Sequence, residues 1–358
     1  MRHFFILLAT LLISIPAIAQ PKQAPTMFAH RGCWSKNDAK QFVVPENSLP
    51  AVAMAKRMGY KGIECDVHYT KDKHMVILHD GTINRTMRRA KDYSKIEEPI
   101  RLADLNFEEL RRDYVLESDN PTWRTPIPTA EELLTECKKH GIMPMLHSSI
   151  EESYHLAQQI FGDEWICFTS DVEQLLKART FSNCIVLMSI NSGTPEQHFP
   201  MLEKIGGRCG ISSMNYKLYT PEFCKAFTSR GYIVQASIFP TPHEAIAQHN
   251  GISYQLSDFS IMPSHKPIGT VKYKPTKAQS THKLPLSDYA LECGALTLEI
   301  EYCGEVELVV NGRKYSLKSE TTRKDIIGSR YFNSSPVVEI TPSAEAKIKR
   351  ACASIYKY

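Results

Sequence analysis

Short apolar runs alternate with amphipathic segments from about residue 27 to residue 260. Nine of the apolar runs have the length of a strand: MFAHRG, GIECDVHYT, HMVILHD, IMPMLHS, WICFTS, CIVLMSI, CGISSMN, YIVQAS and SYQLSD. The segments between them, from NSLPAVAMAKRMG to TPHEAIAQHNG, are helical candidates, and several end at a glycine, which is a common helix stop. This alternation predicts an α/β fold, a (β/α)8 TIM barrel. Since such a barrel has eight strands, we expect one of the nine candidates to be a hairpin arm.

The pattern breaks in two places. The stretch Met87 to Arg124 is charged and poorly periodic, so we predict a long loop over the barrel mouth with one short helix, ADLNFEELRRDY. After Pro263 the helical segments stop, and alternating strand-like runs take over. We therefore predict a barrel over 25–263, a linker over 264–285 and a small all-β, sandwich-like domain over 286–358. The Asn311-Gly312 pair predicts a tight hairpin turn.

The N-terminal residues, the net charge and the C-terminal domain bear on the location of the protein and on its partners. Residues 1–19 have a basic start, an apolar run and an AIA ending, which is typical of a secretory signal peptide. We therefore expect a secreted or periplasmic protein, and no later stretch is long and apolar enough to predict a transmembrane segment. A net charge of +4 argues against a nucleic-acid partner. The C-terminal domain could serve as packing or could contact a glycan or the cell envelope.

The ten cysteines show no CxxC pair and no zinc-like spacing. Several of them lie inside apolar, strand-like runs. We therefore expect mostly buried thiols rather than a disulfide framework, although an exported protein would permit disulfides. Cys293 and Cys303 are the pair that we would test first.

Polar residues stand where several of these strands end, and the carboxyl ends of parallel strands form the active face of such a barrel. We expect these side chains to converge on one rim. They are His30 and Arg31, Glu64 and Asp66, His79 and Asp80, His147, and Ser257 and Asp258.

Glu64 and Asp66 are two positions apart on one strand, so their side chains point to the same face. Two such close carboxylates repel each other unless a proton or a cation lies between them. A divalent metal with oxygen ligands is the interpretation that we favour over a single buried acid with backbone donors.

The remaining rim candidates suit acid–base and phosphate chemistry. His30 and His79 are placed to act as an acid–base pair, or alternatively as metal ligands. Arg31 offers a planar fork for a phosphate group. Glu46, in the sequence PEN, could orient a histidine, bind the metal or only begin a helix.

The sequence also resembles a known family. AHRG, PENSLPAVAMAKRMGYKGIECDVHYTKD, VILHDGTINRT and FTSDVEQLLKAR, over roughly residues 27–262, are similar to the glycerophosphodiester phosphodiesterase family. The resemblance implies a metal-dependent barrel that cleaves glycerophosphodiesters to an alcohol and glycerol 3-phosphate. It also implies that His30 and His79 are the acid–base pair, that Arg31 binds phosphate, and that Glu64 and Asp66 hold calcium or magnesium.

Three departures from the family pattern stand out. The usual Glu-x-Lys after the fourth strand candidate is replaced by His147 and Ser149, which we take as a metal ligand and a substrate contact. The family's WTV gives way to Ala236-Ser237-Ile238, and GVDGIITD to GISYQLSD, which keeps Asp258. Imidazole favours zinc or manganese over calcium or magnesium. The lost lysine removes a cation, for which Arg85 or Lys217 could substitute.

We therefore predict an exported, metal-dependent phosphodiesterase that acts on a small or lipid-derived phosphodiester. Two alternatives stay open at this point. The same barrel could act on phospholipid head groups or phosphate-linked glycans, as a phospholipase or lyase. It could also be a catalytically weak module that binds a surface.

Overall fold

A computed structural model describes residues 26–36, 41–236, 252–258, 267–273, 280–291, 294–332 and 335–357. The predicted signal peptide, the helical candidate TPHEAIAQHNG and Cys293 lie outside the described residues. The strands are β1 Thr26–Ala29, β2 Ser35–Lys36, β3 Phe42–Val44, β4 Gly62–Tyr69, β5 Met75–Ile77, β6 Met87–Arg89, β7 Tyr114–Leu116, β8 Met143–His147, β9 Ile166–Thr169, β10 Ile185–Ser189, β11 Cys209–Ser213, β12 Ile233–Ala236, β13 Tyr254–Ser257, β14 Gly269–Lys272, β15 His282–Lys283, β16 Gly294–Val310, β17 Arg313–Phe332, β18 Val338–Pro342 and β19 Lys347–Lys357. The α-helices are α1 Leu49–Arg57, α2 Phe107–Asp113, α3 Ala130–His140, α4 Glu151–Phe161, α5 Val172–Phe181, α6 Pro195–Ile205 and α7 Pro221–Thr228.

Eight parallel strands close into a barrel, in the order β1-β13-β12-β11-β10-β9-β8-β4, and β4 pairs with β1 to complete the ring. The predicted (β/α)8 TIM barrel is therefore confirmed. One of the nine strand candidates, HMVILHD, is not a barrel strand. It contains β5, which pairs antiparallel with β4 and is the expected hairpin arm. As a consequence, IMPMLHS forms the third barrel strand, β8, rather than the fourth.

Local sequence signals account for the helix boundaries. Thr129 and Glu132 form a reciprocal capping box at the start of α3, and Gly141 ends the helix in the left-handed conformation. Ser48 caps α1 by accepting a hydrogen bond from the Ala51 amide. Each helix turns its apolar face toward the strands, and the resulting layer forms the largest buried cluster of the protein.

A second apolar cluster fills the inside of the barrel. Because side chains alternate along a strand, every second residue of each strand points inward. The cluster consists of Phe28, Met145, Ile166, Phe168, Ile185, Leu187 and Leu256.

Residues 78–128, which we call the rim insertion, are more ordered than the sequence pattern predicted. The expected helix is present as α2, and β6 and β7 form an additional antiparallel pair. Apolar residues spaced irregularly along the insertion meet in a separate buried cluster, which includes Ile83, Leu110 and Leu116. The sequence pattern predicts a loop here because this core is assembled from residues far apart in sequence, and periodicity does not detect such contacts.

The C-terminal part is all-β, as predicted. β14, β19, β16, β18 and β15 are joined in one sheet, and β17 pairs with β16 along almost its full length. Asn311 and Gly312 form the β16–β17 turn with positive φ angles of 47° and 77°. β14 and β15 lie within the stretch that we expected to be a linker, and they extend this sheet.

Two further observations bear on the sequence-based expectations. Nine cysteines are described and none is in a disulfide, and all but Cys303 are buried, as expected for small apolar side chains. Among the described residues, no helix combines the length and apolar character that crossing a membrane requires.

Barrel closure leaves no space for a side chain at Gly210. A Cβ atom at this position in β11 would lie 1.9 Å from the Ile233 carbonyl oxygen on β12. We predict that Gly210→Ala destabilises the protein by about 1–3 kcal/mol through overpacking. Gly81→Ala is the matched control, since a Cβ atom there meets nothing within 4 Å. Chemical denaturation measures both, and equal midpoints would contradict this account of closure.

Candidate metal and active site

Three potential metal ligands meet at the carboxyl ends of two neighbouring strands. Glu64 and Asp66 lie on β4, and His147 ends β8, where it is the direct register partner of Asp66. One ligand atom from each residue lies within 4.8 Å of the others. The structure therefore brings together three of the four predicted metal ligands.

Glu64 is almost completely buried, and this has a marked effect on its ionisation. Burial and the neighbouring charge of Asp66 raise the pKa of the Glu64 carboxyl well above its ordinary value. The backbone N–H of Arg31 donates to its Oε2 at 3.0 Å and opposes this shift. Without a cation, Glu64 therefore tends to hold a proton.

Asp66 behaves in the opposite way. Burial acts to raise its pKa, but hydrogen bonds from His147 and Asn47 and the nearby imidazoles lower it below the ordinary value. His147 Nδ1 lies 3.0 Å from Oδ1, and Asn47 Nδ2 donates to Oδ2 at 3.0 Å. The pKa values of the two carboxyls are thus driven apart, and a cation bound between them would favour the state in which both are ionised.

His30 follows β1 and lies between two carboxylates. Its Nδ1 is 2.8 Å from Asp258 Oδ1, which comes just after β13, and its Nε2 is 3.9 Å from Glu64 Oε2. A carboxylate on Nδ1 fixes the orientation of the ring and leaves Nε2 for proton exchange. The retained Asp258 therefore has a clear structural partner.

His79 reaches the same rim by a different route. The β4–β5 hairpin turns the chain back, and the Leu78 amide donates to the Asp66 carbonyl at 3.0 Å. His79 then follows directly and places its Nδ1 2.7 Å from Asp80 Oδ1. The expectation that it ends a parallel strand was wrong, because a return to the rim by a hairpin has the same apolar sequence signature.

Asp80 is held ionised by its neighbours. Partial burial opposes ionisation, but hydrogen bonds from Arg85 and His79 lower the pKa of Asp80 to about 2. Arg85 donates through Nε to Asp80 Oδ2 at 2.6 Å. His79 therefore has an ionised carboxylate beside its Nδ1, and the Asp258 carboxyl lies in the same place beside Nδ1 of His30.

Arg31 and Glu46 form a pair beside the metal-ligand cluster. Arg31 Nη1 donates to Glu46 Oε1 at 3.3 Å, and Arg31 Nε lies 3.9 Å from Asp66 Oδ2. Glu46 also accepts two hydrogen bonds from Arg85, at 2.9 and 2.6 Å. Both oxygens of Glu46 are therefore occupied by guanidinium groups, and Glu46 lies outside the three-residue ligand cluster.

A cavity of about 420 Å³ opens beside the cluster. Asp66, His79, His147 and Ser149 all line it. Ser149 Oγ is 3.4 Å from Thr169 Oγ1, and the ring of His147 packs on Phe168 with ring centroids 4.9 Å apart. The predicted substrate contact and one member of the predicted acid–base pair thus border one space.

Asn47 is the site residue whose role sequence reasoning missed. It directly precedes Ser48, which caps α1. Asn47 has a φ of 52°, which is a left-handed conformation in which asparagine is several-fold enriched. Its side chain is fully buried against Asp66.

The backbone at Arg31 and Gly32 is also left-handed, and a Cβ atom at Gly32 would lie 2.7 Å from Ala51 Cβ. This backbone turn aims the Arg31 amide at Glu64, and sequence alone does not reveal it.

The fold and the rim define a class: (β/α)8-barrel proteins with a carboxylate–imidazole site suited to a divalent metal and to acid–base chemistry. Residues 30–189 match the model of the Glycerophosphoryl diester phosphodiesterase family. The resemblance inferred from the motifs is confirmed.

Curated relatives carry the same family name. The chain is 29% identical over 164 residues to glycerophosphodiester phosphodiesterase 1 from Mus musculus. The aligned region covers 42% of this chain and 44% of the mouse protein. It is 32% identical over 130 residues to the Homo sapiens protein of that name, covering 35% and 34%. The match thus spans less than half the length of these relatives.

Solved structures share the fold. A phosphodiesterase from Oleispira antarctica in complex with the product sn-glycerol-3-phosphate has a TM-score of 0.51 at 20% identity, over 66% of this chain and 93% of that chain. A glycerophosphodiester phosphodiesterase from Agrobacterium tumefaciens has a TM-score of 0.51 at 14% identity, over 66% and 97%. At these identities the likeness establishes the barrel architecture.

The raised pKa of Glu64 predicts a pH-dependent stability of the metal-free protein. A group with a raised folded-state pKa stabilises the fold below its unfolded pKa, and this contribution is lost as pH rises toward the raised value. We expect EDTA-treated protein to lose stability as pH rises above about 4.5, and Glu64→Gln to remove this component. Divalent ions at about 100 times their Kd should restore about 2.7 kcal/mol to the wild type alone. Thermal melts from pH 4 to pH 8 test this, and identical profiles would contradict it.

His147 should influence which metal binds. We predict that His147→Glu shifts the relative affinity from zinc and manganese toward calcium and magnesium by about tenfold or more, because carboxylate oxygens suit the harder ions. Competitive loading followed by elemental mass spectrometry measures the metal bound per chain. His155→Glu, on the exposed face of α4, is the control. If the relative metal affinity did not change, His147 would not be a metal ligand.

Proposed function

We propose that this protein is an exported, metal-dependent phosphodiesterase that hydrolyses glycerophosphodiesters to an alcohol and glycerol 3-phosphate. The observation that supports this most strongly is the convergence of Glu64, Asp66 and His147 with two carboxylate-bound histidines on one rim. The names of the relatives in the same family support the substrate class.

Glu64, Asp66 and His147 would hold the divalent ion. The set fits such an ion because a positive charge between two buried carboxyls would favour the ionisation of both. A bound divalent ion would supply charge stabilisation at the phosphoryl oxygens. Two carboxylates and one imidazole suit manganese or zinc, whereas calcium or magnesium is what the family resemblance implies.

His30 and His79 would divide the proton transfers between them. In our proposal one imidazole takes a proton from the nucleophile as its oxygen forms the new bond to phosphorus. The other gives a proton to the leaving alkoxide as the old P–O bond breaks. The nucleophile is water, or a neighbouring glycerol hydroxyl that would first form a cyclic phosphate. In each histidine the carboxylate beside Nδ1 orients the ring, so that Nε2 is left for the proton transfer.

Arg31 would bind the phosphate group. Its side chain is mostly buried, and its guanidinium is oriented by Glu46. The lysine that the family pattern places at position 149 is a serine here, which offers a hydroxyl instead of a charge. This departure favours testing phosphatidylinositol and phosphate-linked glycans beside small glycerophosphodiesters, because a change in charge at this position changes which anion is bound.

We predict that the purified, metal-loaded protein releases glycerol 3-phosphate from glycerophosphodiesters. His30→Ala and His79→Ala should each lower kcat by about 10²–10⁴-fold, the usual contribution of a general acid or base. A coupled assay for glycerol 3-phosphate, run over a panel of head groups, provides the measurement.

The control is His155→Ala, because His155 is exposed on α4 and stacks on Phe181 away from the rim. It should keep wild-type turnover. No turnover of any phosphodiester by the metal-loaded wild type would reject the proposal. Turnover of lipid or glycan substrates alone would move the function to the alternative class.

A further inference from the structure

A chain of ion pairs connects the two sides of the site. His79 Nδ1 lies 2.7 Å from Asp80 Oδ1, and Arg85 Nη2 donates to the same oxygen at 3.0 Å. Arg85 then continues to Glu46, and Glu46 accepts from Arg31 at 3.3 Å. Five charged or titratable side chains therefore link a candidate acid–base group with the candidate phosphate-binding group.

Arg85 is the centre of this chain. Its Nε donates to Asp80 Oδ2 at 2.6 Å, and its Nη2 donates to Asp80 Oδ1 at 3.0 Å. On the other side, its Nη1 donates to Glu46 Oε2 at 2.9 Å, and its Nη2 donates to Glu46 Oε1 at 2.6 Å. A planar guanidinium with two bidentate partners has a fixed position and orientation. Because these donors are already in use, Arg85 is poorly placed to replace the family's lysine as a free phosphate-binding cation.

Glu46 differs from the other buried acids of the rim. Its side chain is only 2% exposed, as is that of Glu64. Glu64, however, faces a second carboxylate, whereas Glu46 faces two guanidinium groups. Its charge is thus compensated by the protein itself, without a metal ion.

We propose that Arg85 and Glu46 are positioning residues that fix His79 and Arg31 relative to each other, and that Glu46 is not a metal ligand. Arg85 comes from the rim insertion, and Glu46 from the loop before α1. The pair therefore also ties the insertion to the barrel rim. The catalytic meaning of this inference rests on the proposed function, while the geometric part does not.

The proposal gives the ordered rim insertion a role in the site. His79 is partly exposed, with 37% of its side chain accessible, so packing alone constrains it weakly. The hydrogen bond to Asp80 orients the ring, and Arg85 holds Asp80 in turn. A displacement of about 1 Å at such a group is enough to cost about 100-fold in rate.

The test uses the full chain with Arg85→Gln, Arg85→Lys and Glu46→Gln. The matched control is Arg88→Gln, since Arg88 lies in the same insertion and pairs with Glu117 at 2.6 Å. Three measurements apply to each variant: a crystal structure, the metal content after loading, and kcat with KM for the best substrate. Asp66→Asn serves as the reference for loss of metal.

In Arg85→Gln we expect the His79 ring and the Arg31 guanidinium to move by more than about 0.5 Å, the tolerance of a productive site. We expect kcat to fall by about 10–100-fold, with partial recovery on adding free guanidinium. Glu46→Gln should keep the metal content of the wild type, and Arg88→Gln should keep the wild-type kcat.

Unmoved His79 and Arg31 in Arg85→Gln would overturn the positioning role. Loss of metal from Glu46→Gln, as in Asp66→Asn, would overturn the assignment of Glu46. If the wild type hydrolyses none of the phosphodiesters, the proposed function fails. The crystal structures and metal contents still decide the positioning inference in that case.

Discussion

The repulsion between Glu64 and Asp66 is the constraint around which the rim is built. Both side chains are buried, and they lie on the same face of one strand. Burial and mutual repulsion raise the pKa of Glu64, while hydrogen bonds keep Asp66 ionised. Such an arrangement is unfavourable for stability alone, because buried charges without partners are costly. This arrangement is one that a bound cation would stabilise, as we propose.

Neighbouring elements supply the groups that make this pair tolerable. The left-handed turn at Arg31 directs a backbone amide to Glu64, and left-handed Asn47 directs its amide to Asp66. Strained conformations of this kind persist where the surrounding structure determines them, and they concentrate at functional sites. His147 completes the arrangement from the next strand. One of the three departures from the family pattern thus lies at the candidate metal cluster, where an imidazole replaces a carboxylate.

A second electrostatic unit stands beside the first and is different in kind. The charges of Glu46 and Asp80 are compensated by arginines within the protein, and each carboxylate also contacts a residue for which we propose a role in catalysis or phosphate binding. The rim therefore contains one cluster in which two carboxyls face each other and one network in which the carboxylates face arginines. This separation explains why Glu46, although buried and close by, need not bind the same ion as Glu64.

Local patterns in the sequence were sufficient to predict the barrel, the all-β C-terminal part and most of the polar residues that meet at the rim. This was possible because strand and helix periods, glycine stops and polar strand ends are local signals. Tertiary structure decided what depends on distant contacts: that β5 is a hairpin arm, that the rim insertion has its own core, and that Asn47 reaches Asp66. It also placed Arg85 between two carboxylates rather than free to bind phosphate. These outcomes depend on which side chains meet across the fold, and no single stretch of sequence encodes such a meeting.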